Sequence, residues 1–383
     1  MTTLNDNAQA SAQAQTQRGP ELRIRVIYRD GSGGLQLDWP LRRIGEALED
    51  REGTLWVDIE DPESNSNEGV EELLRDVFHF HPLAIEDALK DTHVPKVDDW
   101  GDYLYLVFHS IDFDPRTDRL RFHELDIFLG PNYLVTYHNR PLATLEQLRR
   151  NIARDPEKRL KHGADDALYH VLDACVDEYL PAIEHLDDAV DNAQTEVFRR
   201  PTPGILQRIF RVKRATLKLH RVLIHEREVL NRLARDEYAP VLAEHRVYFR
   251  DVYDHVVRVH DIMETQRDLI SGALDTYLSA ISNRTNDIMK TLTLVTVMFL
   301  PMSFVAGFFG MNFFGEALAF QSPLPKRLLF TISCLIMVVP SWAMYLWARH
   351  RGWFGHYNAE ERRPPAGRDG GKIGASYNPR EDE

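Results

Sequence analysis

Two uncharged stretches towards the C-terminus constrain this chain more than any other feature. From Thr291 to Pro325 the only charged residue is Glu316, and from Leu328 to Trp347 there is none. Segments 289–309 and 328–348 each supply about the 20 apolar residues that a helix needs to cross the hydrocarbon of a bilayer. Joined by the short link 310–327, they read as two membrane spans. Arg284 and Lys290 precede the first span and Arg349 and Arg351 follow the second, against Lys326 and Arg327 in the link. That modest bias puts both termini in the cytoplasm of a multi-pass protein of the plasma (inner) membrane. The N-terminal residues lack a basic start and an apolar segment, so they do not read as a signal peptide.

What precedes the spans is soluble in character. Residues 1–20 are rich in Gln, Ala, Ser and Thr and read as a disordered lead, as does the polar tail 349–383. Between them, alternation in Leu22–Tyr28 predicts a strand, and further strands are expected at Leu55–Ile59, Tyr103–Phe113, Arg119–Leu129 and Tyr133–Tyr137. Helical periodicity at about Gly69–Phe78, Pro82–Leu89 and Leu142–Ile152 completes an α/β domain over 21–165. Asp30-Gly31-Ser32-Gly33-Gly34 reads as a hairpin turn, since no P-loop lysine follows it. Beyond Asp165 strand signals stop. Ala167–Phe198 and Ile205–Leu233 are helical in period, and Val241–Phe309 has the pattern of one helix of about 70 residues, roughly 100 Å long. An all-α stalk is therefore expected over 166–288, with oligomer packing as its lateral support.

Composition removes several function classes. Lys and Arg number 46 against 59 Asp and Glu, a formal net charge of −13, which argues against a nucleic-acid partner, since that would need a basic face to neutralise phosphates. It suits a cationic partner, and divalent metal ions are in that class. Two cysteines, Cys175 and Cys334, are too few for a disulfide framework or a cysteine-rich zinc module. No nucleophile elbow, phosphate cradle or metal-hydrolase motif is present, so the chain does not read as an enzyme.

The first span is interrupted by polar and small residues. Thr293, Thr296, Ser303 and Gly307 fall near one helical face, which continues towards the cytosol through Asn286, with Met289 and Leu292 between. Such a stripe lets membrane helices pack closely. It also suits a pore, where amide and hydroxyl oxygens hold a hydrated cation and apolar rings close the path by dewetting. A third reading is a membrane-anchored sensor or scaffold whose spans only tether it, but an anchor has no need of Asn286, Thr296 and Ser303 on one face. Elsewhere, Glu178, Glu184, Asp187, Asp188, Asp191 and Glu196 read as the solvated face of one long helix. His79 and His81 read as turn histidines rather than as a metal clip.

At the outer end of the first span stands Phe308-Phe309-Gly310-Met311-Asn312-Phe313. In this position, Gly310-Met311-Asn312 resembles the signature of the CorA family of divalent-cation (magnesium/cobalt) transport proteins. The segments Tyr248–His255, Ser282–Lys290 and Phe299–Phe304 are similar to that family's stalk and pore helix, and His81–Asp87 to a motif of its cytosolic domain. The resemblance implies a CorA-like funnel, a homopentamer in the lipid bilayer whose first span lines a central pore. It implies an outer mouth formed by Gly310, Met311 and Asn312, at which amides hydrogen-bond the water shell of Mg²⁺, an ion that dehydrates reluctantly. Leu300 joins the pore list at a position where the family commonly has methionine. Asp87 and Asp251 match acids that bind a regulatory metal between subunits, so Mg²⁺ is expected both as cargo and as the signal that closes the pore; each in isolation also reads as a solvated surface acid. Co²⁺ or Ni²⁺ is expected to share the path, and Zn²⁺ transport by a relative resembling ZntB is the alternative. The outer loop departs from the family's acidic Met-Pro-Glu-Leu continuation: Phe314-Gly315-Glu316-Ala317-Leu318 keeps Glu316, a candidate for attracting cations, without the proline.

Overall fold

Strand β3 shows why the N-terminal part folds as layers. In the computed structural model, which describes residues 22–62, 68–90, 94–155, 160–310 and 326–351, every residue of Thr54–Glu60 is buried. A strand buried on both faces needs cover on both sides of its sheet. The sheet has seven strands, in chain order β1 (Arg23–Arg29), β2 (Leu35–Gln36), β3 (Thr54–Glu60), β4 (Lys96–Asp99), β5 (Leu104–Asp114), β6 (Arg119–Leu129) and β7 (Tyr133–His138). Their spatial order is β2-β1-β3-β7-β6-β5-β4. Only β3 and β7 are parallel, with Val57 opposite Val135; all other neighbours are antiparallel.

One face is covered by α1 (Ile44–Glu49), by α2 (Glu68–Glu72), which widens into a π-type turn over Leu73–Val77, and by α3 (Pro82–Leu89). Their apolar residues Ile44, Leu74 and Ile85, with Phe80 from the link before α3, join Val26, Val57, Phe128 and Val135 in one core. At its centre Phe80 stacks on Phe128 with ring centroids 4.2 Å apart; truncating such a ring to alanine costs about 3–5 kcal/mol. The β6–β7 turn is tight enough to demand glycine, because a Cβ on Gly130 would lie 2.2 Å from the Tyr133 ring. The hairpin reading of 30–34 holds: the Asp30 carboxylate accepts from the amides of Ser32 and Gly34.

The other face carries α5 (Ala164–Asp177), which follows α4 (Ala143–Arg154) and contacts β3, β5, β6 and β7. Then come α6 (Tyr179–Arg199), α7 (Pro203–Arg235) and α8 (Arg246–Gly310). The expected single helix over Ala167–Phe198 is thus two helices, broken at Glu178. Pro181, in the first turn of α6, has no amide hydrogen to continue the α5 ladder. With α5 packed on the sheet, residues up to Ala280 form one compact unit; a second unit begins at Ile281 and includes α9 (Lys326–His350). Within the first unit, α8 buries Phe249, Val252, Val256, Val259, Met263, Gln266, Ile270, Ala273 and Tyr277. These alternate at spacings of three and four, the seam of a coiled-coil-like helix edge.

Past the end of β4, the backbone of His109 on β5 is satisfied by helices. Its amide donates to Glu226 Oε1 at 3.1 Å, and its carbonyl accepts from the Tyr179 hydroxyl at 2.8 Å. Tyr179 also lies 2.7 Å from Glu226 Oε2. One phenolic proton cannot serve both acceptors. A neutral Glu226 resolves this by donating to Tyr179, and burial does push its carboxyl up to about 8. The sign follows: the folded state binds the proton more tightly than the unfolded chain, so stability falls as pH rises from the usual value of 4.5 through about 8. Glu226→Gln, neutral at every pH, is expected to match the parent's thermal unfolding at pH 5. At pH 9 it should unfold about 5 °C or more above it. Equal melting temperatures at pH 9 would show that Glu226 is held neutral no longer than an ordinary carboxylate.

Candidate ion pathway and metal-binding residues

Among the described residues, α8 is the one helix long and apolar enough to cross a membrane; in α9 the comparable apolar run is shorter, Cys334–Trp347. Within the second unit, α9 packs on one side of α8. Leu294 is buried, and Val297, Met298, Pro301, Met302 and Val305 are half-buried. The buried Ser341 hydroxyl donates to the Met298 carbonyl at 3.0 Å. All eight pore candidates lie away from that side. Asn286, Met289, Leu292, Thr293, Thr296, Leu300, Ser303 and Gly307 are exposed, and at about 100° per residue they share roughly a third of the circumference, opposite the α9-facing side. The sequence stripe and the face left uncovered by α9 are the same.

The threonines on that face have a defined polarity. Thr293 donates its hydroxyl to the Met289 carbonyl at 2.8 Å, and Thr296 to that of Leu292 at 2.9 Å. With the proton committed to the helix, each oxygen presents lone pairs outward, which suits the water shell of a cation. Met289 and Leu292, 55% and 58% exposed, carry apolar side chains on the same face. Gly310 ends α8. Met311, Asn312 and Glu316 lie outside the described residues.

The two predicted regulatory acids occupy different settings. Asp87, near the end of α3, is half-buried, and its carboxylate receives Lys96 Nζ at 2.5 Å. Lys96 also reaches Asp98 at 2.9 Å and lies 5.1 Å from the centre of the Tyr105 ring. Burial alone would lower the Lys96 ammonium, but Asp87 and Asp98 outweigh it and hold the group above its ordinary value. Asp251 lies on α8 between the buried Phe249 and Val252, exposed and without an ion-pair partner among the described residues.

One turn beyond Asp251, His255 meets two acids that sequence reasoning did not single out. Donor atoms of Asp173, Asp177 and His255 all lie within 4.8 Å of one another, with His255 Nδ1 3.9 Å from Asp173 Oδ1. Asp173 and Asp177 are four residues apart on α5, so their helix-face spacing was legible; the partner from α8 was not. A second group, His220, His260 and Glu264, satisfies the same distance. The acidic run divides. Glu178, at the α5–α6 junction, is half-buried, accepts from Thr144 at 2.6 Å and is raised by burial, whereas Glu184, Asp188, Asp191 and Glu196 remain on an exposed face. His81 caps α3 by accepting from the Leu83 amide at 3.2 Å and stacks on Trp100, a turn residue as expected.

Comparison with known proteins agrees with this architecture. The cobalt/magnesium transport protein CorA of Thermotoga maritima is 36% identical over 236 residues, covering 62% of this chain and 67% of that protein. The protein of the same name from Methanocaldococcus jannaschii is 25% identical over 263 residues, 68% of this chain and 80% of that one. The complete structure of the CorA magnesium transporter from M. jannaschii superposes with a TM-score of 0.70 at 24% identity, covering 86% of this chain and 98% of that chain, which shows a shared fold. The model of the CorA-like Mg²⁺ transporter protein family matches residues 51–350, and the chain belongs to that family of membrane transporters.

Proposed function

We propose that the chain is a Mg²⁺ channel that admits divalent cations to the cytosol, passes Co²⁺ and Ni²⁺ as further cargo, and closes when cytosolic Mg²⁺ is high. The observation that carries this reading is the α8 face opposite α9, on which Asn286, Thr293, Thr296 and Ser303 alternate with Met289, Leu292 and Leu300. In an assembly of five copies, with α8 innermost and α9 outside, that face lines the central path. Outward oxygens then hydrate the ion, and the apolar residues form rings narrow enough to expel water when the path closes. Asn312 from each chain forms the outer mouth, where an amide binds the water shell without the full charge that would trap the ion.

Regulation follows from Asp87 on α3 and Asp251 on α8, exposed or half-exposed carboxylates suited to the hard, oxygen-seeking Mg²⁺. The Asp173–Asp177–His255 group, one turn from Asp251, adds carboxylates to the same neighbourhood. A metal that binds the closed arrangement better than the open one shifts the population to closed.

The test is Mg²⁺ influx into proteoliposomes of the purified protein, loaded with a Mg²⁺-sensitive dye. Influx should be fast at low internal Mg²⁺ and decline as the interior fills. No Mg²⁺ influx from correctly assembled protein, with Zn²⁺ influx in its place, overturns the cargo; influx indifferent to internal Mg²⁺ overturns the gating.

A further inference from the structure

The second histidine-containing group has a different chemistry from the acids assigned above. His260 and Glu264 stand four residues apart on α8, hence on one face, and His220 reaches them from α7. Their donor atoms lie within 4.8 Å of one another. His220 Nε2 is 3.9 Å from Glu264 Oε1, and the two imidazole centroids are 5.0 Å apart. Two rings this close, 21% and 15% exposed as side chains, have no hydrogen-bond partner on either ring among the described residues. They flank the buried seam of α8 at Val259 and Met263, so the helix packing holds their backbones in place.

We propose that His220, His260 and Glu264 form a three-ligand site for a nitrogen-preferring divalent ion of the Zn²⁺, Co²⁺ or Ni²⁺ class, tying α7 to α8 in the cytosolic unit. Ligands of a tetrahedral ion at about 2.0–2.1 Å stand about 3.4 Å from each other. The 3.9 Å pair is therefore nearly in place, and the Glu264 side chain, 54% exposed, is free to swing in. Water supplies the fourth position.

The surroundings fit a resident borderline metal better than a hard one. Ligation needs neutral imidazole. Arg267 adds a positive charge nearby, which Glu264 opposes. Mg²⁺ takes oxygen ligands in octahedral geometry, so two imidazoles and one carboxylate discriminate against it. The site is thus distinct from the carboxylates proposed to sense Mg²⁺. Both read the cytosol, and both act on α8, but they answer to different ions.

The experiment is a Co²⁺ titration of tag-free, chelator-stripped full-length protein in detergent, followed by visible absorption with Mg²⁺ in millimolar excess. The expected result is one Co²⁺ per chain with the absorption bands of nitrogen ligation. Since loss of an outer partner alone weakens metal sites by about 10–100-fold, loss of a ligand in His220→Gln or His260→Gln should cost about tenfold or more. His255→Gln, in the other group, should keep the site. Glu264→Gln, at an exposed position, should also weaken binding and guards against misfolding of the histidine variants. Binding unchanged in the His220, His260 and Glu264 variants, or Co²⁺ displaced by the Mg²⁺, overturns the proposal.

Discussion

Asn312→Ala is expected to abolish most Mg²⁺ influx while leaving assembly, by size-exclusion chromatography, as in the parent. In the proposed pentamer this one codon removes five amides from the mouth, and with them the acceptors that hold the hydrated ion at the entrance. Mg²⁺ keeps its water shell reluctantly exchanged, so a mouth without those acceptors must either strip the shell or lose the ion. Removal of a polar group made for a ligand costs about 1–3 kcal/mol per contact, and several contacts together put the expected drop at about 100-fold or more. The flux assay of the proteoliposome experiment reads it directly. Parental flux through the alanine variant would transfer selectivity to the threonine face of α8, where Thr293 and Thr296 present their oxygens.

The second large effect is expected from Asp87→Asn and Asp251→Asn. Each keeps the shape of the side chain and removes the charge that would bridge Mg²⁺. Internal Mg²⁺ needed for half-closure should rise by about tenfold or more, because a carboxylate is exchanged for a weaker neutral ligand. Flux at low internal Mg²⁺ should change little. The two variants are expected to be non-additive when combined, since both disable one site. An unaltered Mg²⁺ response in the double variant would move the sensor to Asp173, Asp177 and His255.

Much of this architecture was legible in the residues because short-range rules govern it. β6 spans Arg119–Leu129 and α3 spans Pro82–Leu89 as alternation and helical period had indicated, and the polar stripe of α8 was visible at period 3.6. The misses have local causes. β2 has two residues and β4 four, too short for alternation to register, and the break at Glu178 depended on a single proline. Covering of the second sheet face by α5 was not legible, since an amphipathic helix does not specify the surface it packs on. For the metal-binding groups the sequence carried half the information: Asp173/Asp177 and His260/Glu264 share the four-residue spacing, but 82 residues separate Asp173 from His255 and 40 separate His220 from His260. Only the packing of α5 and α7 against α8 closes those gaps.

The lysine on β4 changes what emptying the proposed regulatory position would mean. With Lys96 seated on Asp87 at 2.5 Å, that carboxylate already has an ammonium as counter-ion, one it shares with Asp98 at 2.9 Å. In the proposed sensor, departure of Mg²⁺ would leave an acid whose charge is partly offset rather than bare, and arrival of Mg²⁺ would exchange one cation for another. The threshold of the proposed gating would then be set by that contest, so Lys96→Met, which withdraws the resident competitor, should make closure occur at lower cytosolic Mg²⁺. A protein gated in the proposed way would carry its own reference ion, against which the concentration of the transported one is weighed.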